Sequence, residues 1–309
     1  MRAIVFIHTG SPAYLAYSIR QAVSLSDSTT PVFLIGDGSN AGFCDRVTHI
    51  AIAPLLAKAK TTFRNYVHMS SNSEAFEYFC ILRWFILYFF CLEYHISEVF
   101  LCDSDLLLFS CFGELKELIG NAEIAISIPS RQDDYRWTAC PHLTYITMET
   151  LRSVCLFIND MYASSGLRDL TRKYDWHKQT GTNGGVCDMT LLYLYSRQQI
   201  PGSVFNLAVS TNDVAVDFRM NIADNFFDNE YEMSWFGLKR LRWSKGIPYA
   251  VATGGTLTRF MALHFGGSSK MYLPLYYSHP LTAPLFAGQL RHLKKAIRHQ
   301  LRRVVGRCS

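Results

Sequence analysis

Residues 98–109, EVFLCDSDLLLF, set two carboxylates into an otherwise apolar run. In a strand, side chains at i and i+2 share a face. Asp103 and Asp105 would therefore converge on one point while Ser104 turns away. Two acids in so apolar a segment carry a heavy desolvation cost without a counter-charge, and a hard divalent cation is the simplest partner. The competing reading of D-x-D is a strand that ends in a solvated turn, against which the apolar flanks argue. Upstream lies FCILRWFILYFFCLEY (79–94), a helix interrupted at its centre by Arg83 and shorter than an uninterrupted membrane span. A buried helix, a turn and an apolar strand place the acidic pair at the carboxyl end of a strand, where open α/β sheets bind ligands.

The flanking sequence extends the same pattern. Ala3–His8 and PVFLIGD (31–37) read as strands, with YLAYSIRQAVSL (14–25) at helical spacing between them. A third short strand is expected over 50–54 and another over EIAISIP (123–129). Alternation of this kind predicts an α/β fold with a mostly parallel sheet flanked by helices. The second half is less regular. Residues 131–148 mix aromatic and charged residues, 151–163 predict a helix, 165–182 a polar loop, and 203–250 loops and short strands lining a cleft. TNGGVCDMTLLYLYSRQ (182–198) predicts a Gly-rich turn leading into a helix near Asp188. Division is expected near residue 130, giving segments 1–130, 131–280 and 281–309.

The chain has 309 residues, 49% of them hydrophobic and only 18% charged, which excludes disorder and predicts a packed core. Its net charge of +5 is local. Residues 288–309 hold seven Lys or Arg and no acid, leaving 23 basic against 25 acidic residues elsewhere. A general nucleic-acid binder would spread that charge over a groove or face, so no nucleic-acid partner is expected. Leu290, Leu293, Ile297, Leu301, Val304 and Val305 fall on one helical face, with Arg291, Lys294, Lys295, Arg298, Arg302 and Arg303 opposite. Such a helix over 290–305 suits an anionic membrane surface; packing on the body with a solvated basic side is the alternative. Nine cysteines without a C-x-x-C pair predict reduced thiols and a cytoplasmic protein. MRAIVFIHTG reads as a first strand rather than a signal peptide.

A second chemical motif stands in ALHFGGSSKMYLP (262–274), where His264, Gly267 and Lys270 form H-x-x-G-x-x-K. An imidazole nitrogen completes a metal shell, a glycine permits close backbone approach, and an ammonium sits on a phosphate oxygen. A lone histidine after an apolar run is more often a satisfied core residue. Here the acidic pair gives it a second purpose.

With these two motifs in this order, the chain resembles the retaining GT-A glycosyltransferases of family 8 and related bacterial surface-polysaccharide glycosyltransferases. The resemblance spans residues 1 to about 275 and implies a nucleotide-sugar-binding half (1–130), an acceptor-binding half that completes the metal site (131–280), and the basic tail (281–309). It implies that Asp103, Asp105 and His264 ligate Mn2+, with Mg2+ as the alternative, and that Lys270 contacts the diphosphate of a UDP-sugar donor. Arg83 lies where the family binds the nucleotide. Asn183 begins an Asn-x-Gly segment that contacts donor sugar, and Asp188 is the carboxylate beside the reacting carbon, a position that equally suits a helix N-cap. In HTGSPAYL (8–15), Thr9 would sit near the base and Tyr14 would stack on it. The implied reaction moves a hexose to a glycan or lipid-linked saccharide acceptor, with retention, in lipopolysaccharide, O-antigen or capsule assembly at the inner face of a bacterial plasma membrane. Asp133, Asp134, Asp213, Asp217 and Asp224 are further candidates for sugar hydroxyls, and Trp137, Trp176 and Trp235 for stacking. Two other readings are a sugar-nucleotide pyrophosphorylase, against which the single glycine and missing lysine of HTGSPAY argue, and a non-catalytic nucleotide-sugar or carbohydrate-binding module.

Overall fold

Valine, isoleucine and phenylalanine crowd the first strand, and its neighbours repeat the pattern, so the chain begins by building a sheet buried on both faces. The computed structural model describes residues 1–43, 46–163 and 166–277. Strand β1 (Arg2–His8) leads into α1 (Ala13–Leu25), β2 (Val32–Gly36), β3 (Val47–Ala51) and α2 (Ile52–Thr62). Then come α3 (Glu74–Glu93), β4 (Glu98–Cys102), β5 (Leu106–Leu108), α4 (Phe112–Ile119) and β6 (Ile124–Ser127). The second half runs β7 (Cys140–Thr147), α5 (Met148–Ala163), α6 (Gly166–Thr180), α7 (Asp188–Ser196), β8 (Val204–Asn206) and β9 (Val214–Ala215). It continues with β10 (Leu241–Ser244), β11 (Ile247–Val251), β12 (Leu257–Phe260), β13 (Ala262–His264) and a 3-10 helix at Gly267–Leu275.

The central sheet has the order β3-β2-β1-β4-β7-β6-β8. β3, β2, β1 and β4 run parallel, β7 runs antiparallel to both β4 and β6, and β6 pairs parallel with β8. The expected class, an α/β fold with a mostly parallel sheet flanked by helices, is therefore the one observed. Strands from both sides of residue 130 share this sheet. Two smaller sheets, β10-β11-β12-β9 and β13-β5, stand apart from it.

Three local expectations are corrected. The third strand ends at Ala51, and Ile52 to Pro54 open α2 instead. Residues 140–147, read only as mixed composition, form the buried β7 between β4 and β6. Its Pro141 and His142 mask the strand pattern, but the sheet buries both faces and alternation is not required there. Residues 166–180 form α6 rather than a loop, with Leu170 and Lys173 as its buried residues. So narrow an apolar stripe leaves little periodic signal.

α3 carries the core. Trp84, Phe85, Ile86, Leu87 and Phe90 are fully buried, and Phe63 stacks on Phe85 at 5.3 Å. The helix is long and apolar enough to cross a membrane, yet half of its most apolar window is buried within the molecule. The basic segment 290–305 lies outside the described residues.

Candidate active site

The acidic pair does not lie on one continuous strand. β4 ends at Cys102, Asp103 to Asp105 form a turn closed by Leu106 N–H on the Asp103 carbonyl (3.2 Å), and β5 leaves the central sheet. Neighbouring elements hold the backbone of the turn. His142 C=O accepts from Asp103 N (2.8 Å), Ser18 Oγ donates to Ser104 O (2.8 Å), and Asp105 O accepts from Phe265 N (2.9 Å). The buried Gln21 of α1 donates Nε2 to Leu108 O at 2.8 Å. A turn pinned in this way presents both carboxylates at the carboxyl end of β4 without side-chain alternation.

β5 pairs antiparallel with β13, setting His264 opposite Leu106. That register brings the second motif to the first. Ligand atoms of Asp103, Asp105 and His264 all lie within 4.8 Å of one another. His264 Nε2 stands 3.7 Å from Asp105 Oδ1, too far for a hydrogen bond. Its Nδ1 lies 2.7 Å from the Phe218 carbonyl, which can only accept, so Nδ1 carries a proton and Nε2 is the ring nitrogen that faces the carboxylates. Two carboxylate oxygens and one imidazole nitrogen form a donor set suited to a divalent cation such as Mn2+. His264 stacks on the buried His142 at 4.4 Å and 3°. Cys140, His142 and His264 also lie close enough to share an ion, but no ion can lie in the planes of two parallel rings at once.

Cations already answer both acids. Arg83 donates Nη1 to Asp103 Oδ1 (2.6 Å) and Nη2 to Asp188 Oδ2 (2.6 Å), clamping α3 to the turn and to the start of α7. Burial opposes the guanidinium charge, but Asp188 and Asp103 hold its pKa well above the ordinary arginine value. Burial pushes the Asp103 carboxyl up; Arg83 opposes that shift and Asp105 adds to it. Lys270 Nζ lies 3.1 Å from Asp105 Oδ2 and 5.3 Å from the Tyr14 ring centroid. Burial works against its charge, but Asp105, with Tyr14 and Asp103 adding to it, raises the pKa.

The expected residues thus fall into two groups. Asp103, Asp105, His264, Lys270, Arg83 and Asp188 form one connected cluster, and Tyr14 touches it through Lys270. Asp188 stands at the first turn of α7 with Cys187 at the cap position, and its Oδ1 accepts from Met189 N at 2.9 Å. Gly267 opens the 3-10 helix at φ +62° and passes close to the Arg219 side chain. Thr9 and Asn183 are exposed loop residues outside this cluster. Thr9 follows β1 in a loop secured by Gly10 N on Asp37 Oδ2 (2.7 Å) and by Asn40 Nδ2 on His8 O and Gly10 O (both 2.9 Å). Asn183 precedes the glycines that dock on 69–71, where Val186 N donates to Met69 O (2.6 Å) and Ser71 N to Gly184 O (2.9 Å).

Sequence reading missed His8, Asp37, Asn40, His142 and Lys239. Asp37 directly follows β2 and His8 ends β1, a position that could have marked them. The other three carry no local signal. Of the candidates for sugar hydroxyls, Asp217 is fully buried against Lys239 at 2.5 Å and so holds structure instead. Asp133 pairs with Arg131 (2.9 Å), and Asp224 accepts from Asn229 N (2.7 Å). Trp137 and Trp176 both lie near Tyr135, at 4.9 and 6.0 Å between ring centroids, whereas Trp235 is exposed beside Phe236.

No protein-family model and no curated protein matches the chain. Among solved structures it is similar to mouse xyloside xylosyltransferase 1 in its apo form, at 12% identity over 67% of this chain and 85% of that one, with a TM-score of 0.49. It is also similar to the galactosyltransferase LgtC in complex with donor and acceptor sugar analogs, at 15% identity over 70% and 75% of the two chains, with a TM-score of 0.38.

Proposed function

We propose that the protein is a metal-dependent glycosyltransferase of the GT-A type that moves a hexose from a UDP-sugar to a saccharide acceptor with retention of configuration. The observation that carries this reading is the meeting of Asp103, Asp105 and His264 at the carboxyl end of β4, with Lys270 beside them. A bound divalent cation supplies Lewis-acid stabilisation of a diphosphate leaving group. The imidazole in the donor set favours Mn2+ over Mg2+.

The chain's own groups divide the remaining work. Lys270 has a partly exposed side chain and can exchange Asp105 for a phosphate oxygen, adding positive charge where negative charge accumulates. Arg83 holds Asp103 and Asp188 at fixed separation, so the acid near the cation and the acid near the sugar keep register. Asp188 is engaged at both oxygens, by Arg83 and by Met189 N–H. That suits electrostatic support of the reacting carbon better than proton abstraction, and it favours retention, with the leaving phosphate taking the acceptor proton. The loop at Thr9 and the ring of Tyr14 take the nucleoside, and Asn183 the donor sugar.

The acceptor reading rests on Tyr135, Trp137 and Trp176, which form an aromatic group beside the start of α7, where Ala139 N donates to Met189 O (3.1 Å). A lipid-linked saccharide at the cytoplasmic face of a bacterial plasma membrane, in surface-polysaccharide assembly, fits the basic amphipathic pattern over 290–305. Deletion of 288–309 is expected to release the protein from anionic vesicles; unchanged partitioning removes the membrane part of the proposal.

A donor screen with Mn2+, Mg2+ and EDTA arms tests the reaction by nucleotide release. Release of UDP that needs Mn2+ and an added saccharide supports a transferase. Formation of a nucleoside triphosphate from pyrophosphate would instead identify a pyrophosphorylase. Full activity in EDTA would remove the metal-centred reading.

A further inference from the structure

Three polar side chains are buried together behind His264, away from any solvent that could satisfy them. Asp217 and Asn225 are fully buried, and Lys239 is 1% exposed. Lys239 has three donors and three acceptors for them: Asp217 Oδ1 (2.5 Å), Arg219 O (3.0 Å) and Asn225 Oδ1 (3.3 Å). Its ammonium also faces the rings of Tyr231 and Phe260 at 5.6 and 5.7 Å. Burying an ion pair costs several kcal/mol per charge and is weak evidence for stability alone, so the location of the pair needs a reason.

That reason lies in what the node grips. Asp217 Oδ2 accepts the backbone N–H of His264 (3.0 Å). Asn225 Oδ1 accepts Phe218 N (2.7 Å), and its Nδ2 donates to Ala208 O (2.8 Å) and Val216 O (3.1 Å). Met220 N closes the strap on His264 O (2.9 Å). Residues 216–220 are therefore held at both edges, and the one backbone group aimed at the His264 ring is the Phe218 carbonyl.

We infer that the Asp217–Lys239–Asn225 node is a positioning device that holds the His264 Nδ1–H on the Phe218 carbonyl and turns Nε2 toward Asp105. Asp217 sets where the residue's backbone lies, while Lys239 and Asn225 set where the Phe218 carbonyl lies. Together they fix both the place of the imidazole and which of its nitrogens meets the Phe218 carbonyl. Outer-shell partners of this kind change metal affinity by about 10–100-fold in known sites. The consequence for metal binding rests on the functional reading above; the tautomer does not.

The test uses 15N-labelled imidazoles in the metal-free full chain, with His264 resonances assigned through His264→Gln. Wild type is expected to carry a ring proton on Nδ1, and a ring protonated at Nε2 alone overturns the inference outright. The paired variant Asp217→Asn with Lys239→Met removes both buried charges and keeps volume. It is expected to remain folded, to populate both tautomers, and to bind Mn2+ about 10–100-fold more weakly by the electron-paramagnetic signal of free Mn2+. A folded variant with the wild-type tautomer and affinity would show that the node only holds the fold. Should that variant not fold, the wild-type tautomer alone decides. Wild-type protein that keeps the Nδ1–H ring but binds no Mn2+ would remove the functional reading and leave the positioning role standing.

Discussion

Asp103 and His264 reach the same point from differently built supports. The strand before Asp103 has a ladder on each edge, to β1 and to β7, and both of its faces are covered. The strand that ends at His264 has three residues and pairs only with β5 in its sheet. Two full ladders therefore underlie the first half of the site, with side chains added only at the turn. The second half has one short ladder and leans on buried polar side chains. A wide sheet spreads its constraint over many weak bonds, so it tolerates change at any one. A short strand held by a node concentrates the constraint in a few residues, each costly to lose.

The largest test asks whether both halves are equally needed. Asp105→Ala and His264→Ala are each expected to lower nucleotide release on the order of 10³-fold. A fully active Asp105→Ala would end the reading of the site; an active His264→Ala would confine it to the β4 side. Next comes the concentrated support. Asp217→Ala leaves the Lys239 ammonium buried without its carboxylate, and urea unfolding should register a loss of about 3–5 kcal/mol. A loss under 1 kcal/mol would show that the node is less concentrated than its geometry indicates.

A pair of glycines compares the halves at smaller scale. A Cβ at Gly185, where φ is +141°, would lie 2.3 Å from the Met69 carbonyl oxygen, which is backbone that accepts Val186 N–H. At Gly267, φ +62°, it would meet Arg219 Nη2 at 2.7 Å, the movable end of a side chain. Gly185→Ala should cost about 1–3 kcal/mol and Gly267→Ala less, by thermal unfolding. Equal losses would mean that the Arg219 guanidinium is as rigid as backbone.

The smallest effect concerns the aromatic loop. Lys173 is buried, donates to Tyr135 O and to Arg136 O (3.2 Å), and sits 3.4 Å from His177 Nε2. Burial lowers its pKa from 10.5 to about 8. Between those values the unfolded chain binds more protons than the folded one, so this group makes stability rise with pH, by up to about 1 kcal/mol per pH unit. Lys173→Met should flatten that slope in denaturation curves between pH 8 and 10; an unchanged slope would assign it to another group.

Individual residues show where reading the sequence worked. EVFLCDSDLLLF could be placed at a strand end because flanking hydrophobicity is local, and α3 because its run is long. β7 was missed since Pro141 and His142 obscure a pattern that a two-sided sheet does not require. α6 was missed since only Leu170 and Lys173 of its fifteen residues are buried. His142, Asn225 and Lys239 had no local signature at all, because each gains its role from partners far along the chain.

Periodicity and composition along the chain were enough to specify an α/β sheet, the strand end carrying Asp103 and Asp105, and a late His-Gly-Lys motif of matching chemistry, all of which depend on neighbours a few residues apart. Folding supplied the rest: the turn that replaces a continuous strand, the Arg83 clamp on two acids, and the Phe218 carbonyl that orients His264. Each of these joins groups distant along the chain, and a buried charge or lone pair acquires its direction only from the atoms packed around it.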